Sequence, residues 1–261
     1  MRFLPLIAIL LASGSAAVAQ TTVPGDPYAN DPVGIVADPC PVHDKPADKA
    51  ARQMWNLHML TRDYGQLCRY AAQNAALTGP VRVVFMGDSI TDNWIGADPA
   101  LFTNGLVDRG ISGQTTPQML VRFRRDVIDL HPQAVHIMAG TNDIAGNTGK
   151  MTLSQTFDNL RMMTELAQAN GIKVLIGSVP PAKSFPWRPG LETVAPIRAI
   201  NAWLEAYAKR AGATWVDYTP ALADAAGAMK PGLASDEVHP TEAGYAVMES
   251  VLAPLLKARR V

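Results

Sequence analysis

The chain has no net charge, with 23 acidic residues against 23 basic ones among 261, and no run of Lys or Arg precedes the terminal Lys257-Ala258-Arg259-Arg260. Phosphate binding depends on clustered positive charge, so nucleic acid is not an expected partner. Long apolar runs are also missing. Beyond the N-terminus no window approaches the roughly 20 uninterrupted apolar residues of a spanning helix, which argues against stable membrane insertion. His43, His58, His131, His136 and His239 show no metal-ligand spacing, so no metal is implied, and His136 reads as a satisfied core residue inside a strand. Gly149-Lys150 is no phosphate loop, because one would need glycine where Ile144 stands and Ser or Thr where Met151 stands. No cofactor motif, internal repeat or low-complexity tract is visible.

What is present begins with Met1-Arg2, an apolar stretch from Phe3 to Ala12, and small residues ending in Ala17-Val18-Ala19. These are the charged, hydrophobic and cleavage regions of a secretory signal. The expectation is a signal peptide at residues 1–19 and a secreted or periplasmic mature protein. In that oxidising setting Cys40 and Cys68 are expected to pair, which would stabilise the fold by about 3 kcal/mol in the chain-entropy model. Two unpaired, half-buried thiols remain the alternative, since a sequence does not place Cα atoms within bonding range. Residues 20–45, rich in Pro, Asp and Gly, read as an extended arm. Residues 46–261 read as one domain, opened by a helical segment over 46–77 in which Met54, Leu57, Leu60, Leu67 and Tyr70 fall near helical spacing.

From Pro80 onward the pattern alternates strand, turn and helix, the signature of an α/β fold with a parallel sheet and helices on both faces. Five short apolar strands are predicted at Val81–Met86, Leu106–Arg109, Ala134–Met138, Lys173–Ser178 and Thr214–Asp217. Helices are predicted at Thr116–Asp129, Ser154–Asn170, Thr193–Ala211 and Thr241–Lys257. Ligands of such sheets bind outside the carboxyl ends of the strands.

Four segments place reactive groups at those ends. Ser89, in Gly87-Asp88-Ser89-Ile90, follows the first strand and precedes a helix start at Thr91-Asp92-Asn93, so its hydroxyl sits on a strand-to-helix turn suited to a nucleophile. His239, in Asp236-Glu237-Val238-His239-Pro240, has Asp236 three residues earlier to orient one ring nitrogen while the other faces Ser89. Glu237 is nearer in sequence, but residues so close along the chain rarely face each other, so it ranks below Asp236, and Pro240 suits the first turn of the last helix. Gly113, in Gly110-Ile111-Ser112-Gly113-Gln114, offers a backbone N–H, and Asn142, in Gly140-Thr141-Asn142-Asp143, a side-chain amide. With the N–H of Ser89 these would meet the oxyanion formed when a serine attacks an ester. Each residue alone could be an ordinary cap or turn; the conjunction carries the reading. The Gly-x-Ser-x-Gly elbow of another hydrolase class is absent.

The four blocks resemble those of the SGNH, or GDSL-type, hydrolase family, with Ser89, Gly113, Asn142 and His239 as the four named residues, over about Val81 to Leu255. Gly87-Asp88-Ser89-Ile90-Thr91-Asp92-Asn93-Trp94 and Arg109-Gly110-Ile111-Ser112-Gly113-Gln114-Thr115-Thr116 are similar to the branch that holds platelet-activating-factor acetylhydrolase catalytic subunits and bacterial acetyl esterases. The resemblance implies a three-layer α/β/α flavodoxin-like sandwich with a five-stranded parallel sheet. It also implies Ser89 as nucleophile, His239 as base, Asp236 as its partner, and Ser89, Gly113 and Asn142 as oxyanion donors. The expectation is therefore a serine esterase cleaving short acyl groups, acetyl foremost, from a small-molecule or carbohydrate ester, with Trp94 and Trp187 as walls of the site. A lysophospholipase or thioesterase is the first alternative, and a silent carbohydrate-binding protein on the same scaffold the remote one.

Overall fold

The structure, a computed structural model, describes Gly34 and residues 45–257. The expected signal at 1–19, nearly all of the 20–45 arm, and Cys40 of the expected Cys40–Cys68 pair lie outside the described residues.

The segment before the sheet forms two helices in series, α1 (Lys49–Arg62) and α2 (Ala71–Ala75). Asp48 starts α1: its carboxylate accepts from the Ala51 N–H at 2.9 Å, satisfying a donor that has no partner within the helix.

Five parallel strands follow, β1 (Val83–Gly87), β2 (Leu106–Gly110), β3 (Ala134–Met138), β4 (Lys173–Gly177) and β5 (Thr214–Val216), in the order β2-β1-β3-β4-β5. Val83, Val84, Phe85 and Met86 are fully buried, as a central strand covered on both faces requires. Between β1 and β2 lie α3 (Ser89–Asp92) and α4 (Trp94–Ala97). The crossovers from β2 to β5 carry α5 (Thr116–Asp126), α6 (Thr141–Ala145), α7 (Leu153–Ala169) and α8 (Val194–Ala211), and α9 (Thr219–Leu222) and α10 (Glu242–Lys257) follow β5. Chain direction across the sheet reverses once. The step from β1 to β2 runs one way; those from β2 to β3, β4 and β5 run the other. Right-handed crossovers then put α5, α7 and α8 on one face and α3, α4 and the closing helix on the opposite face. Contacts agree: α5 packs on α7 and α7 on α8, while α10 packs on α4 and α9.

Most boundaries fall within two residues of expectation, and the differences have local causes. Thr115 with Gln118, and Thr152 with Gln155, cap α5 and α7; Gln155 N–H donates to Thr152 Oγ1 at 3.2 Å and Thr152 N–H to Gln155 Oε1 at 2.8 Å. Such reciprocal boxes fix a helix start. The helix expected to reach Asp129 stops at Asp126, where Val127 leaves helical geometry (φ −129°) and a 3₁₀ turn, Ile128–Leu130, takes over. His136 is only half satisfied: Nε2 pairs with the Tyr218 hydroxyl at 3.0 Å, Nδ1 has no partner among the described residues, and burial pushes the ring down to a pKa of about 3.

Candidate active site

The register of three adjacent strands assembles the site. Gly87 lies opposite Gly110 on one side and Met138 on the other. Ser89 is two residues past the first of these, Gly113 three past the second and Asn142 four past the third. All three therefore project from the carboxyl ends of β1, β2 and β3, where the sheet order reverses and an open α/β sheet leaves a crevice.

Ser89 is not followed by a helix start at Thr91, as expected; it is itself the first residue of α3, and Asp88 is the cap, its carboxylate accepting from the Ile90 N–H at 3.0 Å. As the first helical residue, Ser89 presents an N–H with no acceptor inside the helix. Burial pushes the Asp88 carboxyl up to about 6, against the opposing pull of the Ile90 N–H and of His239.

The segment from Ala234 to Pro240 closes as a narrow loop, with Ala234 bridged to Pro240. Pro240 does not sit in the first turn of α10. Thr241 precedes the helix, its hydroxyl accepting from the Gly244 N–H at 3.2 Å, so proline ends the loop rather than opening the helix. Within this loop His239 Nε2 lies 2.9 Å from Ser89 Oγ, and Nδ1 lies 2.8 Å from Asp236 Oδ2. The carboxylate accepts only, so the ring proton belongs on Nδ1 and Nε2 faces the serine as an acceptor. Asp236 Oδ1 also accepts from the backbone N–H groups of His239 (2.9 Å) and Val238 (3.3 Å). Partial burial raises the Asp236 carboxyl, but these donors and the charge of His239 outweigh it and hold its pKa below the ordinary value. Glu237 does not reach the imidazole; it accepts from the Ser184 hydroxyl instead.

Gly113 has φ +83°, a left-handed backbone that favours glycine. The loop that holds it is tied from below. Ser112 donates from N–H (3.0 Å) and hydroxyl (2.5 Å) to Asp92 Oδ2, and a Cβ on Gly110 would meet the Asp92 nitrogen at 2.1 Å, so no larger residue fits there. Fully buried Arg122 fastens three chain segments: it donates to Gly87 O (3.0 Å), Arg109 O (2.8 Å) and Gln114 Oε1 (2.6 Å), and pairs with Asp126 at 3.1 Å. Asn142, buried on α6, donates to Gln114 O at 3.1 Å. Its neighbour Asp143 accepts from the Thr116 N–H at 3.0 Å and from the Thr156 hydroxyl at 3.2 Å, which ties α6 to α5 and α7.

The two tryptophans part company. Trp94 is not a wall of the site. It is fully buried, edge-on to Phe85 at 5.8 Å and close to Tyr245 at 5.4 Å, with its indole N–H donating to Glu249 at 2.9 Å; α4 turns it into the core under α10. Trp187 is 37% exposed, stacked on Phe185, with its ring centroid 6.2 Å from that of His239. A cleft of about 320 Å³ runs from Trp187 and Gly113 to Trp55 and Asn56 of α1. Asn147 was not singled out from the sequence, yet its side chain contacts Gly113, Asn142 and Trp187. Nothing local marks it, because its partners come from three separate loops.

A serine, an imidazole and a carboxylate in this arrangement are shared by esterases and peptidases; the family this chain matches makes it a carboxylic ester hydrolase. It belongs to the GDSL-like lipase/acylhydrolase family, whose model matches residues 85–247. Among solved structures it is similar to a candidate acylhydrolase from Bacteroides fragilis NCTC 9343 (45% identity, 76% of this chain and 98% of that one, TM-score 0.73). It is also similar to a GDSL-like lipase from Bacteroides thetaiotaomicron VPI-5482 (46% identity, 75% and 99%, TM-score 0.71). Among curated proteins, the uncharacterized lipoprotein YqeF of Bacillus subtilis (strain 168) is 42% identical over 74 residues; the match spans 27% of this chain and only 30% of that relative.

Proposed function

We propose that the protein is an exported serine esterase that removes short acyl groups, acetyl foremost, through an acyl-enzyme. The observation that carries the reading is the continuous chain of contacts Ser89 Oγ, His239 Nε2, His239 Nδ1 and Asp236 Oδ2, at 2.9 and 2.8 Å.

In this mechanism Ser89 Oγ attacks the ester carbonyl carbon while His239 Nε2 takes the hydroxyl proton. The ionised Asp236 holds the Nδ1 proton and stabilises the imidazolium that results. The carbonyl oxygen, now an oxyanion, is met by the N–H groups of Ser89 and Gly113 and the amide of Asn142. His239 then gives its proton to the departing alkoxide, and the alcohol leaves. A water molecule repeats the sequence on the acyl-enzyme: His239 takes its proton, the hydroxide attacks, and the proton returns to Ser89 Oγ as the carboxylic acid departs.

Trp187, beside His239, supports a wall that favours small acyl groups. The cleft beyond Gly113 is lined by Asn56, Gln66, Gln118 and Asn147 alongside Trp55 and Trp187. Amides beside aromatic faces suit a polar alcohol such as a sugar. Export, and pairing of Cys40 with Cys68, rest on the N-terminal sequence.

The test is a Ser89→Ala variant assayed on aryl esters from acetyl to palmitoyl, together with labelling by a serine-directed phosphonate. The expected loss in kcat is roughly 10⁶-fold, with no labelling and with the parent fastest on acetyl. Native turnover by Ser89→Ala refutes the nucleophile, and a parent that prefers palmitoyl refutes the short acyl group in favour of a lipid ester.

A further inference from the structure

Asn147 stands outside every contact of the nucleophile, base and acid, yet it joins the two loops that carry the non-serine oxyanion donors. Helix α6 ends at Gly146, whose left-handed backbone (φ +65°) turns the chain back, and the Asn147 N–H donates to Asn142 O at 3.1 Å. The side chain is thereby folded over the helix that bears Asn142. Its Nδ2 donates twice, to Gly113 O at 3.1 Å and to Asn142 Oδ1 at 2.8 Å. Its Oδ1 accepts from the Trp187 indole N–H at 3.2 Å.

The orientation of both amides follows from partners of fixed polarity. Gly113 O and Gln114 O can only accept, and the indole N–H can only donate. The Trp187 N–H therefore sets Asn147 Oδ1, which leaves Nδ2 to face Gly113 O and Asn142 Oδ1. Asn142 Oδ1 is thereby occupied, and Asn142 Nδ2 must point the opposite way, toward Gln114 O with one hydrogen and toward the crevice with the other. Reversing Asn147 would put an acceptor against two acceptors, and Asn142 could relieve that only by giving up its bond to Gln114 O and turning its oxygen toward the developing oxyanion.

We propose that Asn147 is a positioning residue that sets the polarity of the oxyanion donors and ties them to the Trp187 wall. The inference rests on the assignment of Gly113 and Asn142 as oxyanion donors. It adds that the direction in which Asn142 donates is held from outside the reacting group, by Gln114 O and by a chain of three side chains that begins at the rim of the substrate cleft.

The experiment measures kcat and KM on an aryl acetate for the full chain and its Asn142→Ala, Asn147→Asp, Asn147→Ala and Trp187→Phe variants, each checked by thermal melting. Asn142→Ala should lose about 10²- to 10³-fold in kcat, as when one oxyanion donor is removed. Asn147→Asp keeps the shape and the acceptor for Trp187 but replaces two donors by a carboxylate, so it should lose about 10²-fold in kcat with KM within about twofold. Asn147→Ala reverses nothing and lets water stand in for the missing donors, so about tenfold is expected. Trp187→Phe removes the indole N–H that sets Asn147 Oδ1 and leaves Gly113 O to hold that amide, so a partial loss of about three- to tenfold in kcat is expected, and native kcat would take Trp187 out of the chain. A residue that merely packs would give the opposite order, the truncation to Ala costing more than the isosteric Asp. That order, or native kcat in Asn147→Asp beside a collapsed Asn142→Ala, overturns the proposal. Native kcat in Asn142→Ala overturns the oxyanion assignment itself, and this proposal with it. Should Asn147→Asp melt below assay temperature, Asn147→Ser, which retains one donor, takes its place: an expected loss of about tenfold at unchanged KM, with native kcat overturning the proposal.

Discussion

Asp236 and Asp108 are the same side chain in opposite circumstances. Asp236 is 44% exposed on the rim of the crevice and collects two backbone N–H groups and the ring N–H of His239, so its carboxyl is held below the ordinary value. Asp108 lies in the middle of β2, 5% exposed. Among the described residues it has one hydrogen-bond donor, the Gly110 N–H at 2.7 Å, and its second oxygen has no partner. Burial, countered only in part by the Gly110 N–H, pushes it up to about 7. The difference separates two kinds of region. The rim spends its hydrogen bonds on keeping one group charged and aimed, while the frame beneath it spends them on fixing backbone and leaves a charge poorly met.

Neutralising the rim acid tests this division most severely. Asp236→Asn should lower kcat about 10⁴-fold, because an amide donates toward Nδ1 and selects the wrong imidazole tautomer. Steady-state kinetics on an aryl acetate is the check, and a loss below tenfold would place the orienting group elsewhere. Since the folded pKa of Asp236 lies below its ordinary 3.8, its stabilisation is present above that value and lost as pH falls through the folded pKa. The melting temperatures of the variant and parent should therefore converge only in acid.

Next in size is a contrast between the tryptophans. Trp94→Ala empties a core position and should cost about 3–5 kcal/mol of stability, whereas Trp187→Ala should cost about 1 kcal/mol or less and act on chain-length preference instead. Denaturant titration of both variants, with rates from acetyl to octanoyl esters for Trp187→Ala, decides it. Equal destabilisation would erase the distinction between frame and rim.

The smallest effect belongs to the frame acid. With a folded pKa raised to about 7, Asp108 contributes stability as the protonated form, and that contribution is lost as pH rises through about 7. Asp108→Asn does not titrate, so its melting temperature should gain on the parent by about 2–5 °C between pH 5 and pH 8. A gap that shrinks with rising pH would mean that the Asp108 carboxylate is better met than its contacts allow.

Strand positions and the grouping of Ser89, Asp236 and His239 were legible in the sequence because both are written locally. An apolar run ending in Gly87-Asp88-Ser89 announces a strand and its turn together, and Asp236 announces itself by lying three residues before His239. The start of α3 was misplaced by two residues because a residue such as Asp88, between a strand and a serine, does not reveal whether it caps or merely turns. Trp94 was misjudged for a different reason: Glu249 and Tyr245, which bury it, come more than a hundred residues later in the chain. Asn147 escaped on the same ground, since its meaning lies in Gly113, Asn142 and Trp187 rather than in its neighbours. Tyr70 reads in the sequence as an apolar residue at helical spacing, and nothing local marks Asp108 or Arg122, although Tyr70 donates to Gly110 O, Asp108 accepts from the Gly110 N–H and Arg122 donates to Arg109 O.

Glu237, between the acid and the base, has φ +70°, a conformation costly for a residue with a side chain, and its carboxylate takes the hydroxyl of Ser184 from the loop that also carries Trp187. The turn holding His239 and the segment carrying Trp187 are thus two halves of one joint. Transplanting either stretch alone from a homologue exchanges half of that joint, so chimeras intended to alter substrate range need both stretches moved as a pair.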